Sequence, residues 1–358
     1  MKFEGEAYPQ DFILADVHLD WEGVQDRAVA CLGRGLMIIL PLKDGLVRLV
    51  ASRAGVVEEA NPTLEDFKEF FSEMAPGQGR LYDPTWLARF KLHHRGVNTY
   101  RDGRLFVAGD AGHMHSPAGG QGMNTGIQDA INLGWKLARV IRGQDPDTFL
   151  DTYHNERWPV GQRLLRGTDQ IFSFGASTNR FFIFMRNLLL PWLLPWYAGS
   201  AERRAGLFLF MSEFDIQYRG SAIVDTAPGF DGPVQGGDRA QDGKVLIEDG
   251  KEVWLMSLCH GPSHHLILFS GIDAKAADLH ELRAAETRFQ NVNHDAAVSY
   301  LISGTSARSG SSYVDPTGKM HELYGFEQPG YVYVRPDGYV EHIGLLKDFD
   351  TLLQWLAK

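Results

Sequence analysis

One stretch limits this chain more than any other, running from Gly103 to Leu137. It opens with a short apolar run, Leu105 to Ala108, which reads as a buried strand. Gly109 and Asp110 end that run, and a loop holding Pro117, Gly119, Gly120 and Gly122 follows. A long helical pattern comes next, with apolar residues at Met123, Ile127, Ala130, Ile131, Leu137, Ala138 and Ile141. That spacing predicts a helix with one stripe buried. Strand, glycine loop and helix together suit an anionic or electron-rich ligand. Glycines let backbone approach a flat or charged group. Amides at the helix start, near Gly122 to Thr125, carry partial positive charge. Asp110, at the strand's C-terminal edge, is placed to accept hydrogen bonds from ligand hydroxyls. It could also be a plain turn or capping residue.

These residues resemble the second flavin motif of the FAD-dependent aromatic hydroxylases of the phenol hydroxylase and polyketide hydroxylase type. That motif reads Gly-Asp-Ala-Ala-His, then Pro-x-Gly-Gly-Gln-Gly-Met-Asn, then Asp-Ala-x-Asn-Leu-x-Trp-Lys-Leu. The chain matches at Gly109, Asp110, His113, Pro117, Gly119 to Asn124 and Asp129 to Leu137, with Gly112 in place of the second alanine.

The resemblance implies a mixed α/β fold: an antiparallel substrate sheet, a long flavin-contacting helix and a C-terminal thioredoxin-like domain. The implied divisions are residues 1–95 for the substrate sheet, 96–204 for the remaining FAD-domain segment, and 205–358 for the thioredoxin-like domain. It further implies an FAD-dependent monooxygenase that uses NAD(P)H and molecular oxygen. A flavin C4a-hydroperoxide would hydroxylate a small phenolic or polyketide aromatic. Asp110 would hold the ribityl chain. Pro117, Gly119, Gly120, Gln121, Gly122, Met123 and Asn124 would complete the cofactor site. Met37, Ile39 and Pro41 would line the substrate pocket. No catalytic residue is assigned.

The family carries two further FAD elements upstream of this region, a strand followed by Gly-x-Gly-x-x-Gly and an Asp-Gly motif. Neither occurs in this sequence. The resemblance therefore implies an incomplete fold: a fragment, a split-gene product or a misassigned start. The helix from Met123 would have its apolar stripe partly uncovered, open to aggregation or a partner. A homodimer or a complementary N-terminal chain would supply that partner. The competing function is a non-catalytic fragment or half of a split flavoenzyme acting as an assembly module.

A formal net charge of -10 argues against nucleic acid as a partner, since phosphate binding needs a basic surface. Two cysteines, Cys31 and Cys259, make no disulfide framework and no Cys-x-x-Cys, which favours a cytoplasmic setting and no redox role. Asp110, His113 and His115 lack a fourth ligand, so no metal is expected. The segment Phe181 to Tyr197 contains Arg186, Asn187, Pro191 and Pro195. It reads as a buried helix pair with a proline-marked corner, not a membrane span.

Elsewhere, Lys43-Asp44-Gly45 and Pro336-Asp337-Gly338 each lie between a pair of apolar runs and predict hairpins. Thr63 with Asp66 predicts a capped helix with Leu64, Phe67, Phe70, Phe71 and Met74 on its inner face. Arg95 has either a site role or a structural salt bridge. Tyr153-His154-Asn155-Glu156-Arg157-Trp158-Pro159 resembles the family's Tyr-x-x-Glu-Arg-x-Pro and is read as architectural, with Pro159 kinking or ending its helix. Strands at 265–270 and 296–302, a helix at 273–289 and a closing helix at 348–358 complete the expectation.

Overall fold

The computed structural model describes residues 1–358 apart from 25, 34, 54–60, 117–119, 176, 178, 248, 274, 293–297, 305–312 and 358. They form two compact units, Met1–Ile127 with Trp158–Glu213, and Gln128–Arg157 with Phe214–Lys358.

In the first unit, β1 (Phe3–Leu19), β2 (Val29–Leu32), β3 (Leu36–Pro41), β4 (Leu46–Arg53), α1 (Leu64–Met74) and β5 (Leu81–Val97) come first. The predicted β3–β4 hairpin forms. Asp44 and Gly45 take the left-handed backbone its turn needs, at φ 60° and 75°. Thr63 and Asp66 make the predicted reciprocal cap of α1. Phe67 and Phe71 then bury against Ile13, Val17, Met37, Ile39, Val47 and Leu49. Each such ring contributes about 2–3 kcal/mol of burial. The opposite face of the sheet carries Phe12 and Leu92, packed with Phe172.

Then follow β6 (Arg101–Asp102), β7 (Leu105–Phe106), β8 (His113–Met114), α2 (Gly122–Ile141), α3 (Asp151–Gly175), α4 (Arg180–Ala198) and α5 (Ala201–Met211), with α2 from Gln128 and α3 up to Arg157 counted in the second unit. The main sheet runs in the order β2-β3-β4-β1-β5-β8, while β6 and β7 form a separate two-stranded ribbon. The expected buried strand at Leu105 to Ala108 is thus corrected. Only β6 pairs with it among the described residues, and Leu105 is exposed. The helix α3 continues through Pro159 to Gly175, so that proline does not end it. The expected buried helix pair at 181–197 is a single helix, α4, with both prolines inside it. Asn179 caps its start, accepting from the amides of Phe181 and Phe182 at 3.0 and 3.1 Å. Its corner falls at Gly199-Ser200, and Phe181, Phe184, Leu188, Trp192 and Trp196 are exposed. Among the described residues no helix is long and apolar enough to cross a membrane.

The second unit holds β9 (Asp225–Thr226), β10 (Lys244–Leu246), β11 (Glu252–Trp254), β12 (His265–Phe269), α6 (Ala276–Val292), β13 (Val298–Ser303), β14 (Tyr313–Val314), α7 (Lys319–Tyr324), β15 (Gly330–Val334), β16 (Val340–Leu345) and α8 (Phe349–Leu356). Its sheet runs β11-β10-β14-β13-β12-β15-β16-β9. β12 and β13 are parallel across the α6 crossover, while β15 and β16 are antiparallel. β12 and β15 are buried at every position, as central strands covered on both faces are.

The apolar stripe of α2 is partly uncovered, which meets the expectation drawn from the resemblance and corrects the one drawn from spacing alone. Met123, Ile127, Ala130, Ile131 and Ile141 are exposed. Thr125, Asp129, Asn132 and Lys136 are buried instead. The correction has a physical reason: each buried polar side chain has a partner on its own side of the helix, and such partners offset the cost of burial.

Candidate functional site

Asp110 sits in a tight turn, Gly109–Ala111, that leads into β8. Gly109 is left-handed at φ 57°. A Cβ on Gly126 would lie 3.2 Å from Gly109 Cα, so this glycine pair lets the turn lie directly on α2. The Gly112 amide donates to the Gly109 carbonyl at 2.8 Å, and the Val97 amide to the Gly112 carbonyl at 2.9 Å. The turn is thereby tied to β5, which β8 extends by pairing His113 with Gly96 and Met114 with Arg95. Gly112, the departure from the family pattern, has a local cause. A Cβ there would meet the Tyr100 ring at 3.1 Å. Tyr100 also fills the space beside Gly161, where a Cβ would lie 2.0 Å from its hydroxyl. Within this fixed turn the Asp110 side chain is exposed.

The start of α2 lies beside it in sequence and in the same unit. Gly120 is left-handed at φ 65°, with open space where a Cβ would stand. Gly122 is pressed close to His115, whose Nε2 would be 2.8 Å from a Cβ. Burial holds the His115 pKa below its ordinary value, and its Nδ1 lies 2.7 Å from the Ser116 carbonyl. Gly122, Met123 and Asn124 supply the first amides of α2, which by helix geometry have no carbonyl one turn back. Met123 and Asn124 are exposed. Gln121 is buried and donates Nε2 to the Phe210 carbonyl at 2.6 Å. Among the described residues its Oε1 is buried without a hydrogen-bond partner. Thr125 donates Oγ1 to Glu213 at 2.6 Å.

Glu213, at the end of α5, is buried and left-handed at φ 60°, a costly backbone for a residue with a Cβ. No motif in the sequence marks Glu213 or Phe210. Only the fold shows that α5 clamps the first turn of α2. An exposed carboxylate, an open glycine and a helix start with exposed residues at Met123 and Asn124 together suit a flat, hydrogen-bonding ligand with an oxygen-rich tail.

The remaining expected residues fall elsewhere. Pro117 and Gly119 lie outside the described residues. Met37 and Ile39 are 1% and 0% exposed in the core beneath α1, which leaves them no surface to offer a ligand. Pro41 is half-buried at the end of β3. Among the described residues no three His, Cys, Asp or Glu side chains group as a metal set.

The later residues of the motif build something different, within the second unit. Glu156 is buried and accepts from Lys136 Nζ and Asn132 Nδ2, both at 2.7 Å. Arg335 adds a fork to both carboxylate oxygens at 2.8 Å each, and Ser221 donates at 2.6 Å. Asp337 accepts from Trp135 at 3.1 Å and also pairs with Arg335. Arg157 donates Nε to Asp129 at 2.7 Å and NH1 to Tyr218 at 2.9 Å. Burial alone would raise the Glu156 pKa, but Arg335 and Lys136 hold it well below the carboxylate range. These groups satisfy one another, so their role is architectural.

Residues 15–168 match the family described as the FAD binding domain. The chain is 30% identical over 363 aligned positions to the pentachlorophenol 4-monooxygenase of Sphingobium chlorophenolicum, covering 98% of this chain and 64% of that protein. It is 32% identical to the 6-methylpretetramide 4-monooxygenase of Streptomyces rimosus, covering 98% of this chain and 62% of that protein. Among solved structures, it resembles CabE, an aromatic hydroxylase from angucycline biosynthesis. The TM-score there is 0.66 at 28% identity, over 96% of this chain and 63% of that one. Nearly all of the chain is thus similar to proteins named as monooxygenases and to an aromatic hydroxylase, and it spans less than two thirds of the length of these relatives.

Proposed function

We propose that this chain is the flavin-facing and substrate-facing portion of an FAD-dependent, NAD(P)H-using monooxygenase. The observation that carries the reading is the exposed Asp110 on a glycine turn packed against the start of α2. When bound and reduced, FAD activates molecular oxygen for transfer to an electron-rich aromatic ring. The chain's own residues bind and orient. Asp110 accepts hydrogen bonds from the ribityl hydroxyls. The amides of Gly122, Met123 and Asn124 favour negative charge on the pyrimidine end of the ring. Gly120 leaves room for the ring's approach, and the buried Gln121 holds the start of α2 in place through the Phe210 carbonyl.

Residues 1–95 form the substrate-binding region in this reading, with Leu36 and Ile38 facing the substrate, since Met37 and Ile39 belong to the core. Residues 96–204 hold the flavin. Residues 205–358 form a thioredoxin-like domain, supported by the parallel β12–α6–β13 unit and the β15–β16 hairpin. The Cys259 thiol is pushed up to about 12 by burial and by Asp242, which supports a non-redox role. Two free cysteines support a cytoplasmic setting.

Titration of the purified chain with FAD, followed by flavin fluorescence, tests this reading. The intact chain should bind, and Asp110→Ala should bind about tenfold or more weakly, the effect of losing charge-assisted hydrogen bonds. Unchanged melting of the variant would confirm that the loss is local. A chain that takes up no FAD, or a variant that binds as tightly as the wild type, would overturn it.

A second reading is favoured by the exposed Met123, Ile127 and Ile131. The chain then works together with a complementary chain, or as a homodimer, that covers this face.

A further inference from the structure

The first unit contains a cavity of about 350 Å³ where β1, β5 and α3 meet. It is lined by Glu4 and Gly5 at the start of β1, by His94 to Asn98 at the end of β5, and by Trp158, Gln162, Leu165 and Arg166 of α3. Its construction is specific. A Cβ on Gly96 would stand 2.7 Å from Leu165 Cδ1 and 3.5 Å from Gln162 Nε2. A Cβ on Gly5 would strike the His94 carbonyl at 2.1 Å. These two glycines let strand, strand and helix close on one another and bring Gln162 and Arg166 to the end of β5. Trp158 fastens the same corner by donating Nε1 to the Val97 carbonyl at 2.9 Å.

The charges in this cavity are not balanced from within. Among the described residues Arg95 Nε is buried without a hydrogen-bond partner, and His94 Nε2 is in the same condition. Neither Arg95 nor Arg166 forms an ion pair with any described residue, and Glu4, the one carboxylate in the lining, reaches neither. A half-buried guanidinium left in this state loses hydration without compensation. Two arginines, Arg95 half-buried and Arg166 exposed, line this one small cavity, and paired guanidinium groups are a common receptor for an oxyanion.

We propose that this cavity binds a phosphate or carboxylate group of a small ligand, with Arg95 and Arg166 as its two cationic arms and Gln162 as a neutral donor. Arg95 thereby takes the site role that the sequence left open beside a structural salt bridge. The site is built from other residues than the flavin reading uses and does not depend on it. Its oxyanion could belong to a nucleotide or to an acidic aromatic, two sources with the same terminal chemistry.

Isothermal titration of the full chain tests the proposal, with inorganic pyrophosphate in one arm and 4-hydroxybenzoate in the other, each up to about 10 mM. Binding of either supports the site, and the arm that binds names the source. Arg95→Gln and Arg166→Gln should each weaken that binding about tenfold or more. Arg166 is exposed, so its variant folds regardless and keeps the test decisive if Arg95→Gln does not. Arg95→Lys should fall between, because it keeps the charge and loses the fork. No heat with either probe, or binding of equal strength in Arg166→Gln, would overturn the proposal. Titration of Arg166→Gln with FAD should match the wild type, which separates this result from the fate of the flavin reading.

Discussion

The motif's first part, at Gly109–Ala111 and Gly120–Thr125, and the ion cluster that its later residues Asn132 and Lys136 join around Glu156 are opposites. In the first part Asp110 is exposed, and Gln121 Oε1 is buried with no donor among the described residues. In the cluster, Glu156 engages Lys136, Asn132, Ser221 and Arg335. The first arrangement is what an incoming ligand needs. The second is a closed set, where adding a ligand would break bonds. A motif recognised as a whole therefore contains two kinds of function, and only partner geometry separates them.

The largest expected effect breaks the closed set. Glu156→Ala leaves Arg335 and Lys136 buried together and should cost about 3–5 kcal/mol in urea unfolding. A loss under about 1 kcal/mol would show that the cluster is not the closed set described here. Its pH dependence follows from the same charges. The folded pKa of Glu156 lies below its ordinary value of about 4.5, because Arg335 and Lys136 outweigh burial. Its stabilisation is fully present above that pH and fades as pH falls towards the folded value. The gap between the melting curves of wild type and Glu156→Gln should begin to narrow below about pH 4.5 and close only as pH nears the lower folded value.

A smaller effect sharpens the other side. Thr125→Val removes the hydroxyl from the buried Glu213 carboxylate and should cost about 2 kcal/mol. In a Glu213→Gly background, where no carboxylate is stranded and the left-handed strain is relieved, the same change should cost about half that or less. Additive costs in this double-mutant cycle would mean that α5 does not clamp the start of α2.

The smallest effect concerns the uncovered stripe of α2. Ile131 is 49% exposed, so Ile131→Gln should shift stability by no more than about 0.5 kcal/mol. A loss of about 2 kcal/mol or more in a thermal melt would show that this face is covered in solution, as the reading with a complementary chain requires.

Much of the local structure was legible. Asp44-Gly45 and Gly338 supply the positive φ that their hairpins require. Thr63 and Asp66 cap α1 as their spacing implies. The turn at Gly109-Asp110 and the helix from Gly122 were marked by glycines whose Cβ atoms would collide or strain. Other features were illegible for a physical reason. Glu213 is 88 positions from Thr125, and Arg335 is 179 positions from Glu156, so no periodicity or local propensity couples them. Spacing alone predicted a buried α2 stripe, and the structure leaves it partly uncovered, because hydrophobic spacing tells which residues share a face, not which face the fold covers.

Backbone chemistry and residue spacing alone determined where this chain turns, where its helices begin and which carboxylate stands at the glycine turn. These depend on interactions within a few residues. The tertiary structure decided that Met37 and Ile39 serve the core, that α2 buries its polar stripe, and that Arg95 and Arg166 share a cavity. Those outcomes depend on desolvation and on partners far along the chain, which exist only once the strands and helices have packed.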